Sequence, residues 1–510
     1  MAPTNQARRL GEIAGAMRLA RELIGHDRWT EAELAAHQRQ RLEEMVRHAA
    51  ASSPFYRERY AGVGLGPAGP VELGQLPTVD KATVMDRFDD LVTDRGLTLA
   101  AVEAHLDGLD GDQLLVGRYR AMATGGSTGR KGVFVVDRPE WRQYLAGFFR
   151  WNHYVGLKPR LPRRVRIASI AAARPLHMTY RMAASIDVGM YRVLRLEAAT
   201  PPAAMVEALN RHQPEFLYAY GSVLGLLAAE QLEGRLRISP AAIASSGETH
   251  TDELRDAIRA AWGTSSFELY AMTEAGILGS HCERHRGIHL FEDQAIVEVV
   301  DERDRPVPDG QLGHKLLVTN LVTRTQPLIR YEVSDMVAVA GERCPCGRPF
   351  RLLRAIEGRN DDILYLPAAA GGTAAVHPLA LRTALAGIPW LAQYKVVHDR
   401  DGLHVRAALR PDADPTQTVR LVTDRLVEKL AAQGVARPAV QVELRDNLQD
   451  ERDTAGKFKL VESRLPRPAA PGRPASLEER ELVAGGGLGA AAGGGAGVVE
   501  QRRLQVGQER

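Results

Sequence analysis

The sequence predicts an α/β protein in which a large N-terminal domain of layered sheets and helices carries a strand-rich subdomain, followed by a small α+β C-terminal domain. Three observations predict it. From about residue 110 to 330, apolar β-rich runs at 133–136, 165–170, 216–220, 242–247 and 267–272 alternate with helical stretches at 222–234 and 251–262, the pattern of a substantially parallel sheet. Between 290 and 340 the runs shorten to strands at 295–300 and 314–319, with Pro308-Asp309-Gly310 supplying a turn between them. After Gly358 the chain restarts: a helix near 378–387, strands at 393–398 and 403–409 joined by Asp399-Arg400-Asp401-Gly402, a helix over 415–433 and a strand at 440–444.

The flanking segments follow from the same signals. Leu10, Ile13, Met17, Leu19, Leu23 and Ile24 recur at near-helical spacing, and a polar helix from Glu31 to about Ala51 is stopped by Ser52-Ser53-Pro54, so residues 1–60 read as a helical entry segment. At 510 residues the chain has room for two or three domains at a soft prior of ~150 residues each. The expected boundaries are 1–358 for the N-terminal domain, 359–465 for the C-terminal domain and 466–510 for a tail. That tail is Pro-rich and then Gly/Ala-rich, buries too little apolar surface to offset its ordering entropy, and is expected to be disordered.

Composition removes several function classes. The 66 basic residues against 63 acidic ones leave a formal charge of only +3, which gives nucleic-acid binding no support. Three cysteines exclude a disulfide framework and suit a reducing compartment. No apolar run approaches the ~20 residues of a membrane span, and charges interrupt the N-terminal region where a signal peptide needs an apolar core. A cytoplasmic protein without a membrane partner is the expectation.

The most informative stretch is Thr124-Gly125-Gly126-Ser127-Thr128-Gly129-Arg130-Lys131-Gly132. Glycines free the backbone N–H groups, two hydroxyls add donors, and two cations close the run, so all can converge on a polyphosphate. It is not a Walker loop, because Arg130 separates Gly129 from the lysine and Gly132 follows it. Taken alone, such a run is more often a plain turn.

Four further signals follow in order. They are Ser246-Gly247-Glu248-Thr249 after one apolar strand, Glu268-Leu269-Tyr270-Ala271-Met272-Thr273-Glu274 after another, Tyr331-Glu332-Val333-Ser334-Asp335, and Gly358-Arg359-Asn360-Asp361-Asp362, with Gly456-Lys457 about a hundred residues later. Together with the loop they resemble the adenylate-forming (AMP-binding) superfamily, and within it the phenylacetate-CoA ligase-like branch. The resemblance covers residues 124–457 and implies an adenylate-forming N-terminal domain and an AMP-forming acid–thiol ligase.

What the resemblance implies for each residue matches its chemistry. A carboxylate becomes an electrophile by attacking the α-phosphate of ATP, giving an acyl-adenylate and pyrophosphate, and charge must be neutralised as it develops. The 124–131 loop would hold the β- and γ-phosphates. Thr273 would hydrogen-bond the α-phosphate, and Glu274 would help hold Mg²⁺, a hard cation suited to oxygen ligands. Tyr270 and the Gly247-Glu248 turn would frame adenine, Asp335 would accept from the ribose hydroxyls with Arg359 nearby, and Asp361 would be the hinge of the C-terminal domain. Lys457 would reach the carboxylate and α-phosphate oxygens, with Lys459 as the alternative two residues on. The acyl group would pass to coenzyme A; an amine or a carrier-protein pantetheine is the alternative acceptor, and a non-catalytic nucleotide-binding homologue the alternative class.

Three departures from the family pattern stand out. The loop is one residue shorter than the commonest form and lacks its proline, Ser334 replaces the glycine before Asp335, and residues 363–377 run through Ala-Ala-Ala-Gly-Gly-Thr where a Lys/Arg-Gly pair is usual. The substrate is expected to be a small carboxylic acid, aromatic or arylacetic if Tyr218, Tyr220 and Phe134 face it rather than the core.

The cysteines carry a separate expectation. Cys282, His289, Cys344 and Cys346 sit in two polar, turn-rich segments and offer the four N/S ligands of a structural zinc site, with His281 and His285 as alternative ligands. A free thiol beside a plain Cys-Pro-Cys loop is the competing reading.

Overall fold

The computed structural model describes residues 5–63, 70–124, 131–157, 164–172, 174–187, 189, 191–386, 388, 390–410, 412–436, 438–453 and 456–465. One unit spans Met1–Ser463 and a second Arg464–Arg510. Residues 466–510, expected to be disordered, lie outside the described residues.

The entry segment is two helices, Asn5–Gly25 and Glu31–Ser52. The second starts at a capping box in which Thr30 and Glu33 satisfy each other's backbone N–H groups, and it stops where Ser53 and Pro54 begin a new helix. Its buried face, Leu42, Met45 and Val46, shares a core with Val297, Leu316, Val318 and Tyr331, so it packs on the strand-rich subdomain.

Strands β1 (Arg120–Ala123) and β2 (Val133–Val136) form an antiparallel hairpin whose connection is the glycine-rich loop. β3 (Val165–Ala171), β4 (Tyr191–Glu197), β5 (Phe216–Ala219), β6 (Ala242–Ser246) and β7 (Ser266–Met272) are parallel, in the order 4-3-5-6-7. Helices Met178–Ile186, Pro202–His212, Gly221–Leu232 and Asp252–Trp262 make the crossovers that parallel pairing requires. From β7 the chain turns back within three residues, so β8 (Gly276–His281) and then β9 (Ile288–Leu290) add antiparallel. The substantially parallel sheet of the sequence is thus the centre of a larger mixed one.

β10 (Ala295–Val300), β11 (Lys315–Asn320) and β12 (Tyr331–Val333) form a separate antiparallel sheet. β13 (Asp335–Val339) and β14 (Leu352–Arg359) return to the large sheet beside β9, giving nine strands in the order 13-14-9-8-7-6-5-3-4. Beyond Arg359, β15 (Leu364–Pro367) and β16 (Thr373–Val376) pair as a hairpin that the sequence reading leaves unassigned. Gly371 and Gly372, at φ of +87° and +77°, make its turn, which is why two adjacent glycines stand there.

β17 (Leu391–Asp399), β18 (Gly402–Leu409), β19 (Val440–Arg445) and β20 (Val461–Ser463) form a sheet in the order 19-18-17-20, covered by helices Pro378–Leu385 and Pro415–Ala432. Leu364, Leu381, Val396, Val405, Val422 and Leu426 are among the residues of a core of its own. Among the described residues no helix is long and apolar enough to cross a membrane.

Candidate active site

The glycine-rich loop closes at its base. Thr124 N donates to Gly132 O at 2.9 Å, and Gly132 N donates to Thr124 Oγ1 at 2.9 Å. A Cβ at Gly132 would stand 2.7 Å from the Phe134 ring and 3.1 Å from Lys81 Cε, so glycine is needed there. Gly125, Gly126, Ser127, Thr128, Gly129 and Arg130, expected to hold phosphate, lie outside the described residues; Lys131 is exposed just after them.

The C-terminal end of β7, the start of β13 and the end of β14 meet at a cluster of polar side chains. Tyr270 OH donates to Asp335 Oδ2 at 2.7 Å, and Arg359 Nε donates to Asp335 Oδ1 at 3.2 Å. Asp335 and Arg359 are cross-strand partners, so the sheet register itself brings them together. The Tyr270 hydroxyl is held well above the usual phenol value, first by burial and then by the Asp335 charge. Glu274 lies in the turn after β7, beside the partly buried Thr273, and its carboxyl is raised by burial while Lys81, Arg359 and Lys457 pull it down. A partly buried carboxylate in the field of three cations is a ready partner for a divalent ion and its phosphates.

Lys457 reaches this cluster from the opposite side of the chain. Its partly buried side chain packs against the Gly247 turn: a Cβ at Gly247 would lie 3.1 Å from Lys457 Cε and 3.4 Å from Nζ, and Gly247 adopts φ +80°. Only glycine satisfies both conditions. Burial lowers the Lys457 amine below the ordinary lysine value; Arg359 lowers it further, while Asp453, Glu248 and Asp335 oppose. Lys459, the alternative, is turned into an ion pair with Asp362 at 2.6 Å.

The Glu248 carboxylate is committed to backbone. Oε1 accepts from Phe458 N at 2.6 Å and Oε2 from Ser222 N at 2.7 Å, with the Arg452 guanidinium 3.7 Å away. Any contact of the 247–248 turn with adenine therefore falls to its backbone and to Gly247, not to this side chain. Asp361 lies in the single 3₁₀ turn Asn360–Asp362 that follows β14, and Asn360 before it is pinned by its N–H to Ser334 O at 2.7 Å and by Nδ2 to His314 O at 3.0 Å.

With that geometry, the match to a family model is informative: residues 35–324, more than half of the chain, match the model described as AMP-binding enzyme. The chain belongs to the AMP-binding enzyme family. Within the family it is 25% identical over 390 residues to a phenylacetate-coenzyme A ligase of Thermus thermophilus, covering 74% of this chain and 81% of that protein. It is 24% identical over 467 residues to a phenylacetate-coenzyme A ligase of Aromatoleum evansii, covering 85% and 95%. Its fold is similar to a crystal structure of 2-hydroxyisobutyryl-CoA ligase in the postadenylation state, with a TM-score of 0.64 at 21% identity over 82% of this chain and 87% of that one.

The matched family region ends ahead of Asp335, Arg359, Asp361 and Lys457, so these residues join the site through the fold. Lys81 joins it unannounced: it sits at the start of helix Lys81–Asp86, behind Asp80 as N-cap, and it feels Glu274, Arg359 and Asp361. No local motif marks it, since a lysine after an N-cap aspartate reads as a solvated first turn. Tyr331, whose hydroxyl faces the Glu274 charge, was visible only as the first residue of the motif ending in Asp335.

Tyr218, Tyr220 and Phe134 are all buried core residues. Tyr218 OH meets Ser246 Oγ at 2.5 Å, Tyr220 OH accepts from Ala172 N at 3.1 Å, and Phe134 packs edge-on against Tyr331. Phe134 therefore belongs to the core and not to an acid pocket.

Proposed function

We propose that this AMP-binding enzyme activates a carboxylic acid of the aryl or arylacetic class with ATP and transfers the acyl group to coenzyme A. The observation that carries the reading is the close packing of Lys457 on Gly247, within the field of Glu274, Asp335 and Arg359. A single cation delivered from a separate C-terminal segment onto a carboxylate-rich nucleotide cleft suits a reaction in which negative charge must be compensated at one moment and access restored at the next.

In the first half-reaction a carboxylate oxygen of the acid attacks the α-phosphorus; the new O–P bond forms as the bond to pyrophosphate breaks. The Lys457 ammonium compensates charge on the carboxylate and α-phosphate oxygens, and as a mobile point charge it follows them through the in-line displacement. Thr273 donates to the α-phosphate. Asp335, oriented by Tyr270 and Arg359, accepts from the ribose hydroxyls. Lys81 and the 124–131 loop take the leaving phosphates. Glu274 would help hold Mg²⁺, which would supply further neutralisation of the triphosphate when bound. In the second half-reaction a thiolate attacks the acyl carbon and AMP leaves, which requires Lys457 to withdraw as residues 359–465 move as a domain about Asp361.

The names of the phenylacetate-coenzyme A ligases among its relatives support the aryl or arylacetic class. ATP–pyrophosphate exchange with a panel of aryl, arylacetic, short hydroxylated and fatty acids tests both the activity and the class. Exchange with the aryl or arylacetic acids alone is expected; exchange with none of the panel overturns the reading. The β15–β16 hairpin, standing where the branch has a different segment, favours one second reading, transfer to a carrier-protein pantetheine. Thioester formation on adding coenzyme A, followed by mass spectrometry, separates the two.

A further inference from the structure

Away from the nucleotide cleft, all three cysteines of the chain and one histidine converge on a point. Cys282 directly follows β8, His289 lies in β9, and Cys344 and Cys346 lie in the turn joining β13 to β14. One donor atom from each lies within 4.8 Å of all the others. Cys282 Sγ is 3.7 Å from Cys344 Sγ, and Cys346 Sγ is 3.3 Å from His289 Nε2.

Those separations are the edges of a metal tetrahedron. With Zn–S near 2.3 Å and Zn–N near 2.0–2.1 Å, tetrahedral geometry puts sulfur atoms about 3.8 Å apart and sulfur about 3.6 Å from nitrogen. A disulfide would need about 2.05 Å, and Cys282 and Cys344 are nowhere near it.

The backbone is arranged for thiolates. Arg284 N donates to Cys282 Sγ at 3.4 Å, and the N–H groups of Cys346 and Arg348 face the sulfurs of Cys344 and Cys346. Gly347, at φ +81°, lets Gly347 N return to Cys344 O at 3.2 Å, a tight turn that aims both sulfurs inward. Cys282 and His289 have no exposed surface and Cys344 has 6%. Three thiolates and a divalent ion leave one negative charge, and the Arg348 guanidinium lies against Cys346 to meet it. Arg348 is itself held by Asp27 at 3.2 Å and Glu283 at 3.1 Å. The alternative ligands are elsewhere: His281 Nδ1 faces Glu268 N at 3.3 Å, and His285 packs against the His281 ring.

We propose that Cys282, His289, Cys344 and Cys346 bind one structural Zn²⁺. Protein donors fill all four positions, so no water is activated there and the ion serves the fold. It ties the 343–351 turn to the β8–β9 hairpin. The same two strands, β13 and β14, run from that turn to Asp335 and Arg359 at their other ends, so the ion holds the base of the strand pair that carries the nucleotide residues.

The full-length chain, purified through a tag without histidine and without chelator, is expected to contain one zinc per chain by elemental analysis. Titration of the native protein with an organomercurial is expected to release that zinc, read with a chromogenic chelator, as three thiols react. Cys344→Ser/Cys346→Ser is expected to lose the metal and melt at lower temperature, with a far smaller change in ATP affinity; Cys346→His, which keeps a donor, is expected to retain it. If the double variant does not fold, the wild-type metal content and thiol titration still decide. Metal-free wild-type protein whose three thiols alkylate freely in the native state overturns the proposal, as does a disulfide found by mass spectrometry. None of these readouts depends on ligase activity, so failure here leaves the proposed reaction untouched.

Discussion

Phe458 N donates to Glu248 Oε1 at 2.6 Å, and this contact seats the segment that delivers Lys457. The second Glu248 oxygen holds Ser222 N at 2.7 Å, so one buried carboxylate staples the C-terminal segment to the start of helix Gly221–Leu232. Glu248→Gln replaces one acceptor oxygen by an amide NH₂ that faces a backbone donor. An unsatisfied buried donor costs about 1–3 kcal/mol. Adenylation is expected to slow by about tenfold to a hundredfold, with ATP affinity changed much less; pyrophosphate exchange and equilibrium ATP binding measure the two. An equal loss in both would make Glu248 an adenine contact instead.

Lys457→Ala is expected to abolish exchange while ATP still binds, and Lys459→Ala, which breaks only the ion pair with Asp362, to leave exchange within a few-fold of wild type. The pH dependence carries a further sign. Burial lowers the Lys457 amine from its ordinary 10.5, so the folded chain releases this proton before the unfolded chain does. The unfolded state binds more protons between the lowered value and 10.5, and this group's contribution to stability therefore rises with pH across that window. Activity runs the other way: kcat/KM for the acid, which reports the free enzyme, falls on the alkaline side before 10.5. Lys457→Arg, charged throughout, is expected to remove that limb even where its rate is lower.

Tyr270, Asp335 and Arg359 form one hydrogen-bonded unit, so their substitutions should not add. Tyr270→Phe and Asp335→Asn are each expected to raise KM for ATP by about fivefold to tenfold, from the ~1 kcal/mol of a typical hydrogen bond and more where a charge takes part. The double variant is expected to fall short of the product of the two. A strictly multiplicative result would show that Tyr270 orients nothing through Asp335.

Gly247→Ala tests the close approach of Lys457. The left-handed backbone costs a residue with a Cβ roughly 1–2 kcal/mol, and that Cβ would stand 3.1 Å from Lys457 Cε. Adenylation is expected to fall more than thermal stability does, because the flexible lysine yields before the β6 turn. Exchange rates beside a melting curve show which gives way.

How much of this was legible in the sequence depended on whether the signal was local. The parallel strands β3 to β7 announced themselves as apolar runs separated by helical stretches, and Tyr270, Glu274, Asp335 and Arg359 lay at their ends or at those of later strands in recognisable order. The β15–β16 hairpin did not announce itself: its strands Leu364–Pro367 and Thr373–Val376 are four residues each, and the alanines between them suit helix or turn equally. Lys81 was invisible because it reaches Glu274 from a helix nearly two hundred residues earlier, a contact made by packing alone. Glu248 was seen as a site residue but not as an anchor, since Phe458, its partner, is 210 residues away. The cysteine cluster was legible only as two polar loops of the right composition; the pairing of β9 with β14 at His289 and Leu352 makes them neighbours.

Asp361 sits in a 3₁₀ turn immediately after β14, with Asn360 fixed to Ser334 and His314 and with Lys457 delivered to the cleft. On the proposed reaction, that arrangement suits adenylate formation, and thioester formation would require the segment carrying Lys457 to leave. Proline fixes φ near −65°, within the 3₁₀ range of about −50 to −70°, so Asp361→Pro suits the orientation seen and resists any rotation at this residue. Single-turnover measurements are expected to show acyl-adenylate forming at a rate within about tenfold of wild type and acyl transfer to coenzyme A slowed far more. Equal slowing of both steps would mean that proline has disturbed the turn itself, and slowing of neither would make Asp361 a solvated linker carboxylate and move the pivot elsewhere in 359–363.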